Sequence, residues 1–328
     1  MKSIPRIKIA HLPTPVELLP RLSAALEGPQ LLVKRDDQTG LAFGGNKTRK
    51  LEFLLAEAQA HGARMLITGG ADQSNHCRQT AAAAARHGFE CTLVLTYPEG
   101  GNEGKADESL ATGNLMLNRL FGAEIVWTQR SNRDNELQRI FQHAWEQGKR
   151  PYLIPYGGSN STGAAAYTYA LGELMDQNLI PDWIVVPSSS GGTQAGLVLG
   201  SKVFDFKGNI LGISVDEPAE MLKSRVASLA NDTADLLGEN HTFSPGDIMV
   251  VDDCIGKGYG VVSEVERDAI QLFAHSEGLL LDPVYTGRAA GGMINLIRSG
   301  YFDPHTTVLF WHTGGTPAIF ADRYMDIL

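Results

Sequence analysis

The chain has 328 residues, 43% of them hydrophobic and 20% charged, which supplies one large core or two smaller ones and does not fit a disordered chain. A formal net charge of −9 and a sequence pI of about 5.5, without Lys/Arg blocks, argue against nucleic acid or an anionic membrane surface as the main partner. No apolar run of about 18 residues is present, the opening MKSIPRIKIAHLPTP lacks a signal core, and neither the three cysteines (Cys77, Cys91, Cys254) nor the nine histidines show disulfide or metal spacing, so a soluble, cytoplasmic, metal-free protein is expected.

In chain order, residues 31–35 (LLVKR) read as a strand. Residues 47–61 read as a helix, with Leu51, Leu54, Leu55 and Ala58 on one face and Gly62 as its stop. MLIT (65–68) is a short buried strand. The loop GGADQ then leads into a helix from about Ser74 to His87, ended by Gly88. CTLVLT (91–96) and EIVWT (124–128) are strands, and the charged run 131–148 is a surface helix. In the second half WIVVP (183–187), GISV (212–215) and TTVLFWHT (306–313) are strands, the first and last running into glycine-rich turns. This alternation predicts an α/β protein with two open, mostly parallel sheets flanked by helices. Without a long linker, the two domains are expected to interleave.

Ligands of open α/β sheets bind at the carboxyl ends of the strands, so the segments there are the candidates for chemistry. SSSGGTQAG (188–196) follows a strand and opens a helix. Its small residues allow close backbone approach and the helix start offers free N–H groups, the form of a phosphate cradle or of a plain turn. GGNKTRK (44–50) has the glycine spacing of a P-loop from Gly40 to Gly45, but Asn46 displaces the lysine and argues against a nucleotide triphosphatase. Lys47 at a helix start is either exposed or, if buried, a neutral nucleophilic amine of the kind Schiff-base chemistry needs. QSNH places Ser74, Asn75 and His76 at a strand-to-helix junction, as an N-cap or as an anion site for a carboxylate. Cys77, just inside that helix, reads as a small packed residue. Tyr259 and Tyr285 lie in glycine-bracketed loops, KGYGV and VYTGR, where packing and catalysis are both open.

Taken together and in order, GGNKTRKLEFL, QSNHCRQTAAAAA, GGTQAGL, LDPVYTGR and HTGGTPAIF resemble the D-cysteine desulfhydrase and 1-aminocyclopropane-1-carboxylate deaminase group of fold type II (tryptophan-synthase-β-like) pyridoxal phosphate enzymes. The resemblance runs from about His11 to near the C-terminus. It implies a Schiff base between pyridoxal 5′-phosphate and Lys47, with Asn75 on the cofactor's phenolic oxygen. Ser189, Ser190, Gly191, Gly192 and Thr193 would hold the phosphate, and Thr286 and Thr313 would lie beside the ring. Ser74, Asn75 and His76 would bind the substrate carboxylate, with Ser74 also a candidate to move protons and Tyr285 and Tyr259 facing the substrate. It also implies a smaller α/β domain over 48–161, a larger cofactor-binding domain from 1–47 and 162–328, an active site between them, and a homodimer.

The branch follows from two positions. Ring-opening deaminases of this group typically carry Glu after the tyrosine of VY-x-G and Leu in H-x-GG, where this chain has Thr286 and Thr313. These resemble the desulfhydrase branch. A hydroxyl in place of a carboxylate near the pyridine nitrogen gives a weaker electron sink, sufficient to expel thiolate but not to open a ring. The implied reaction is α,β-elimination from a small sulfur-containing amino acid, D-cysteine first, with the Cα proton taken by the Lys47 amine or a hydroxyl beside it. L-cysteate sulfo-lyases resemble the chain about as well through GLAFGGNKTRKLEFL and PYGGSN. A β-replacement synthase and a non-catalytic cofactor carrier are the readings of other classes.

Overall fold

The computed structural model describes residues 1–97 and 111–326. β1 (Val16–Leu18), α1 (Pro20–Leu26) and β2 (Gln30–Arg35) lead into α2 (Asn46–Ala60). β3 (Met65–Ala71), α3 (Asn75–His87), β4 (Glu90–Thr96), α4 (Gly113–Leu120), β5 (Glu124–Thr128), α5 (Arg133–Glu146) and β6 (Pro151–Leu153) follow. The second half runs α6 (Ser161–Asp176), β7 (Trp183–Ser188), α7 (Gly192–Val203), β8 (Asn209–Ser214), α8 (Ala219–Leu237), β9 (Met249–Val251), α9 (Glu264–Glu277), α10 (Thr286–Arg298), β10 (Thr307–His312) and α11 (Asp322–Met325).

The strands form two sheets, a six-stranded one in the order β1-β2-β10-β7-β8-β9 and a four-stranded one in the order β5-β4-β3-β6. Among the described residues all pairings are parallel except that of β1 with β2. Alternation along each strand sorts side chains to the two faces of the large sheet. Leu32, Ile184, Val186, Leu309 and Trp311 pack toward α6, α7 and α8. Leu31, Val33, Val185, Val308 and Phe310 pack the other way, against α1, α9 and α10. In the small sheet Leu66, Leu93 and Leu95 meet Leu51, Leu54, Leu55 and Ala58 of α2 and Cys77, Ala81 and Ala84 of α3. Met65 and Ile67 meet α5 on the opposite face.

β3 is longer than MLIT. It continues through Gly69, Gly70 and Ala71, which pair with Val94, Leu95 and Thr96 of β4. The glycines belong to the strand because its neighbours press on it: a Cβ at Gly70 would lie 2.6 Å from Ser74 Oγ, and one at Gly69 3.2 Å from Arg133 Cδ and Leu137 Cδ1. Close approach, not turn formation, is what these glycines provide. β1, β6 and β9 are three residues each and went unread in the sequence, too short to show alternation. Among the described residues no helix is long and apolar enough to cross a membrane.

Candidate active site

The carboxyl ends of both sheets turn toward one cleft, lined by Lys47, Ser74, Asn75, His76, Ser189, Ser190, Gly191, Thr193, Tyr285 and Thr313 among others. Ten of the residues singled out in the sequence thus meet around one space. Lys47 sits in the first turn of α2, after two glycines with positive φ (Gly44 +64°, Gly45 +125°) that bring the chain sharply into the helix. Burial pulls its ammonium down to about 8, against partial support from the Asp282 carboxylate. A substantial fraction of this amine is therefore neutral near pH 7–8, as a nucleophile or base requires.

Facing it, the turn after β7 carries Ser188 to Gly191 into α7. Gly191 takes the left-handed conformation (φ +81°) as N-cap and no side-chain cap bond is made, so the first-turn N–H groups after Gly192 are open to an anion. Asn46 Nδ2 donates to Thr193 Oγ1 (3.1 Å), so the Thr193 proton is free to donate onward. Ser190 Oγ pairs with Ser159 Oγ (2.8 Å). Gly192 lies beneath the surface of the cleft, its N–H directed to Ser159 Oγ at 3.3 Å. Ser188 Oγ is buried without a partner among the described residues. Under this turn lies Lys50, one helical turn from Lys47 and 1% exposed. Its Nζ donates to Gly157 O (3.2 Å) and Ser159 Oγ (3.1 Å), and it forms no ion pair among the described residues. A Cβ on Gly192 would stand 3.0 Å from Lys50 Nζ, so the cation lies against the cradle itself. Burial, then repulsion from Lys47, pushes its pKa well below the ordinary lysine value.

On the third wall Ser74 caps α3, its Oγ accepting from Cys77 N–H at 3.2 Å. Its own proton remains available, as do the first-turn N–H groups of Asn75 and His76. The His76 side chain is differently engaged. Thr68 Oγ1 donates to the Ile154 carbonyl (2.9 Å), which can only accept, so His76 Nε2 must be the donor to Thr68 (2.9 Å). His76 Nδ1 is then a bare lone pair, buried and unpartnered among the described residues. Burial, with Lys47 and Lys50 nearby, keeps the ring neutral. His76 can meet an anion through its backbone N–H, not its ring.

The fourth wall is the loop entering α10. Asp282 is buried and its carboxylate accepts from Val284 N, Tyr285 N, Thr286 N and Thr286 Oγ1. Burial raises its pKa, opposed by these donors. Thr286 does not line the cleft: it is fully buried, its proton given to Asp282 Oδ1 (2.8 Å) while its oxygen accepts from Asp282 N–H (2.7 Å). Thr313, after β10, is the threonine that reaches the cleft. Tyr285 faces the cleft and bonds Tyr259 at 2.6 Å between hydroxyls. Tyr259 stands behind it, on an adjoining hollow lined also by Arg130, Arg133 and Asp216. Burial first, with Tyr156 adding to it, holds both phenols well above their ordinary pKa and hence protonated; Tyr259 raises Tyr285 further, while the hydrogen bond with Tyr285 partly opposes the rise at Tyr259.

Residues 7–314 match the pyridoxal-phosphate dependent enzyme family. The chain belongs to that family. It is 42% identical over 321 residues to a D-cysteine desulfhydrase of Salmonella choleraesuis (strain SC-B67), covering 97% of this chain and 96% of that protein. A crystal structure described as an ACC deaminase homologue superposes with a TM-score of 0.89 at 34% identity, over 99% of this chain and 97% of the other. A fungal L-serine ammonia-lyase from Rhizomucor miehei, 18% identical, shares the fold with a TM-score of 0.69 over 98% of both chains. The cofactor of this pyridoxal phosphate enzyme is pyridoxal 5′-phosphate, and the cleft fits it. The fit rests on a neutralised lysine, a cradle at a helix start backed by an unpaired buried cation, and an orphaned serine hydroxyl beside it.

Several residues of this site were missed in the sequence. Lys50 looks like one more charge on a helix, Asp282 like one of many acids, and Tyr156 carried no expectation. Lys50 had one usable signal, its spacing three residues after Lys47, which places both amines on one side of α2. Tyr156 had none: it lines the cleft with Arg133 stacked on its ring at 4.5 Å.

Proposed function

We propose that this chain converts D-cysteine and water to pyruvate, ammonia and hydrogen sulfide by α,β-elimination. The observation that carries it is the full-length identity to D-cysteine desulfhydrase. It is joined by a cleft whose lining among the described residues includes no acid, the Asp282 carboxylate being saturated by its own four donors. When bound, the cofactor supplies the electron-withdrawing ring that holds the charge left at Cα. Lys47 would hold the cofactor, and its amine, freed when the substrate's amine takes its place, takes the Cα proton. Ser74 Oγ and the N–H groups of Asn75 and His76 hold the substrate carboxylate at the positive end of α3. Asn75 donates its amide to the ring oxygen. Ser189, Ser190, Gly191, Gly192 and Thr193 hold the phosphate, with Lys50 as its counter-charge. Thr313, which lines the cleft, rather than Thr286, whose hydroxyl is engaged with Asp282, would be the hydroxyl beside the ring. Tyr285 gives its proton to the departing sulfur and is resupplied by Tyr259.

On this reading the smaller domain, 48–161, presents the carboxylate site and the remainder presents the phosphate cradle. The protein is a cytoplasmic homodimer. L-cysteate is a second reading, because Arg130 and Arg133 at the mouth would favour an anionic leaving group. The test is a pyruvate assay over D-cysteine, L-cysteine, L-cysteate, β-chloro-D-alanine and 1-aminocyclopropane-1-carboxylate, with sulfide and sulfite measured separately. Pyruvate with sulfide from D-cysteine is expected. Faster turnover of 1-aminocyclopropane-1-carboxylate to 2-oxobutanoate would refute the reading.

A further inference from the structure

α3 carries a second buried cation that the chemistry above does not use. Arg78 is fully buried, and its guanidinium reaches three separate elements. Nη1 donates to Asn75 Oδ1 (3.3 Å) and to Asn114 Oδ1 (3.1 Å) at the start of α4, and Nη2 donates to Gly44 O (2.8 Å) in the loop ahead of Lys47. No carboxylate bonds it among the described residues, and its Nε has no partner. Asp282 acts on it only through space, and burial brings its pKa down to about 9.

The orientation of Asn75 follows from this contact. A guanidinium only donates, so the amide atom facing it must be the oxygen. That oxygen also accepts from Asn114 Nδ2 at 2.8 Å, which fills its second lone pair. The Asn75 NH₂ is therefore directed the other way, toward Gly315, where an added Cβ would lie 2.7 Å from Asn75 Nδ2. Asn114 is itself tied down by Gln73, through its N–H (2.8 Å to Gln73 Oε1) and its amide (2.8 Å to Gln73 O).

We propose that Arg78 is a positioning residue for the cofactor: it turns the Asn75 amide donor toward the ring oxygen, ties the Gly44 loop of Lys47 to α3, and sets a full positive charge behind that oxygen. The proposal rests on the reading that Asn75 contacts the ring oxygen. A donor and a cation on that side favour a negative oxygen. They also disfavour a proton on the nitrogen that joins the cofactor to Lys47. The pH at which the visible absorbance of the Lys47-bound cofactor changes is thereby held low. The other ionisable groups at this corner remain in every variant below: Lys47 and Lys50 from α2, His76 from α3, Asp282 before α10 and His312 at the end of β10.

The test is a spectrophotometric pH titration of the holoenzyme in four forms: wild type, Arg78→Met, Arg78→Lys and Asn75→Ala. Arg78→Met is expected to raise the midpoint by about one pH unit or more, a tenfold change in proton affinity. Asn75→Ala should also raise it, and Arg78→Lys, which keeps the charge but not the fork, should raise it by part of that amount. If Asn75→Ala moves the midpoint and Arg78→Met leaves it in place, the role of Arg78 is overturned while that of Asn75 stands. If neither moves it, the Asn75 contact fails and the proposal with it. Should Arg78→Met not fold, Arg78→Lys decides: a raised midpoint supports the proposal and an unchanged one overturns it. Loss of packing alone would lower stability without moving this midpoint.

Discussion

Replacing Lys50 by Met should weaken cofactor binding while leaving the cofactor-free protein as stable as before, or more so. Lys50 is buried with two neutral acceptors, Gly157 O and Ser159 Oγ, and no counter-charge among the described residues. Met fills nearly the same volume and removes an amine whose charged form burial and Lys47 already disfavour and no carboxylate among the described residues supports. The lost neutral hydrogen bonds oppose this gain by about 0.5–1.5 kcal/mol each. With the phosphate in place the balance reverses. A hydrogen bond from a buried ammonium to a charged group is worth about 1.5–3 kcal/mol, and about 1.4 kcal/mol is tenfold in affinity. Cofactor affinity should therefore fall roughly 10- to 150-fold. Equilibrium dialysis against pyridoxal phosphate measures the loss, and thermal unfolding with and without the cofactor separates the two states. An apo-variant destabilised as much as the holo-variant, with affinity unchanged, would refute the reasoning and make Lys50 a structural residue.

Tyr285→Phe should lower kcat for sulfide release by about 10²-fold or more through loss of a positioned acid. Tyr259→Phe should cost less, since Tyr259 acts through Tyr285; the reverse ranking in steady-state sulfide assays would exchange their roles. Asp36→Asn should destabilise the fold by roughly 3–5 kcal/mol in urea unfolding at pH 7, because Asp36 accepts from Arg49, Tyr167, Trp311 and Thr14 at once. Burial pushes the Asp36 carboxyl up, but Arg49, Tyr167 and Trp311 together hold it below its ordinary range. Its contribution is thus full above the ordinary carboxylate range and fades only as pH falls through the depressed value. The gap between variant and wild type should narrow in acid, and a gap that widened there would reverse this sign. Cofactor-free protein should take up pyridoxal phosphate at a rate rising about tenfold per pH unit below 8 and levelling above it, because only the neutral Lys47 amine attacks. A flat pH profile in the absorbance time course would place the limiting step elsewhere.

The parts legible in the sequence are those with local causes. EIVWT (124–128) shows β-propensity and is a strand at those bounds, and the apolar face of α2 shows helical spacing. What escaped was decided by partners far along the chain. α2 is buried almost all round, so Arg49, Lys50 and Glu52 look like a solvated face while each meets distant groups. Glu52 accepts from the backbone of Ile9 and Ala10, and Arg49 pairs with Asp36 and Glu173. Thr286 was misplaced for the same kind of reason. Its position after Tyr285 is readable, but the return of its hydroxyl to Asp282 depends on how the loop folds before α10.

The position of β10 has a consequence for how the chain is made. In the six-stranded sheet β10 lies between β2 and β7, so the N-terminal pair β1–β2 has no other link to the rest of that sheet. Strand β2 therefore waits, with its inner edge bare, until residues 307–312 have left the ribosome. The four-stranded sheet draws its strands from one continuous stretch, 65–153, and has no such wait. Thr313 and Gly314 follow β10 directly, so the last wall of the cleft arrives with the strand that closes the sheet. A nascent chain cannot hold a complete cofactor site before its larger half is fastened together, and a ribosome that stalls before residue 307 leaves a product with a sticky edge and no working site.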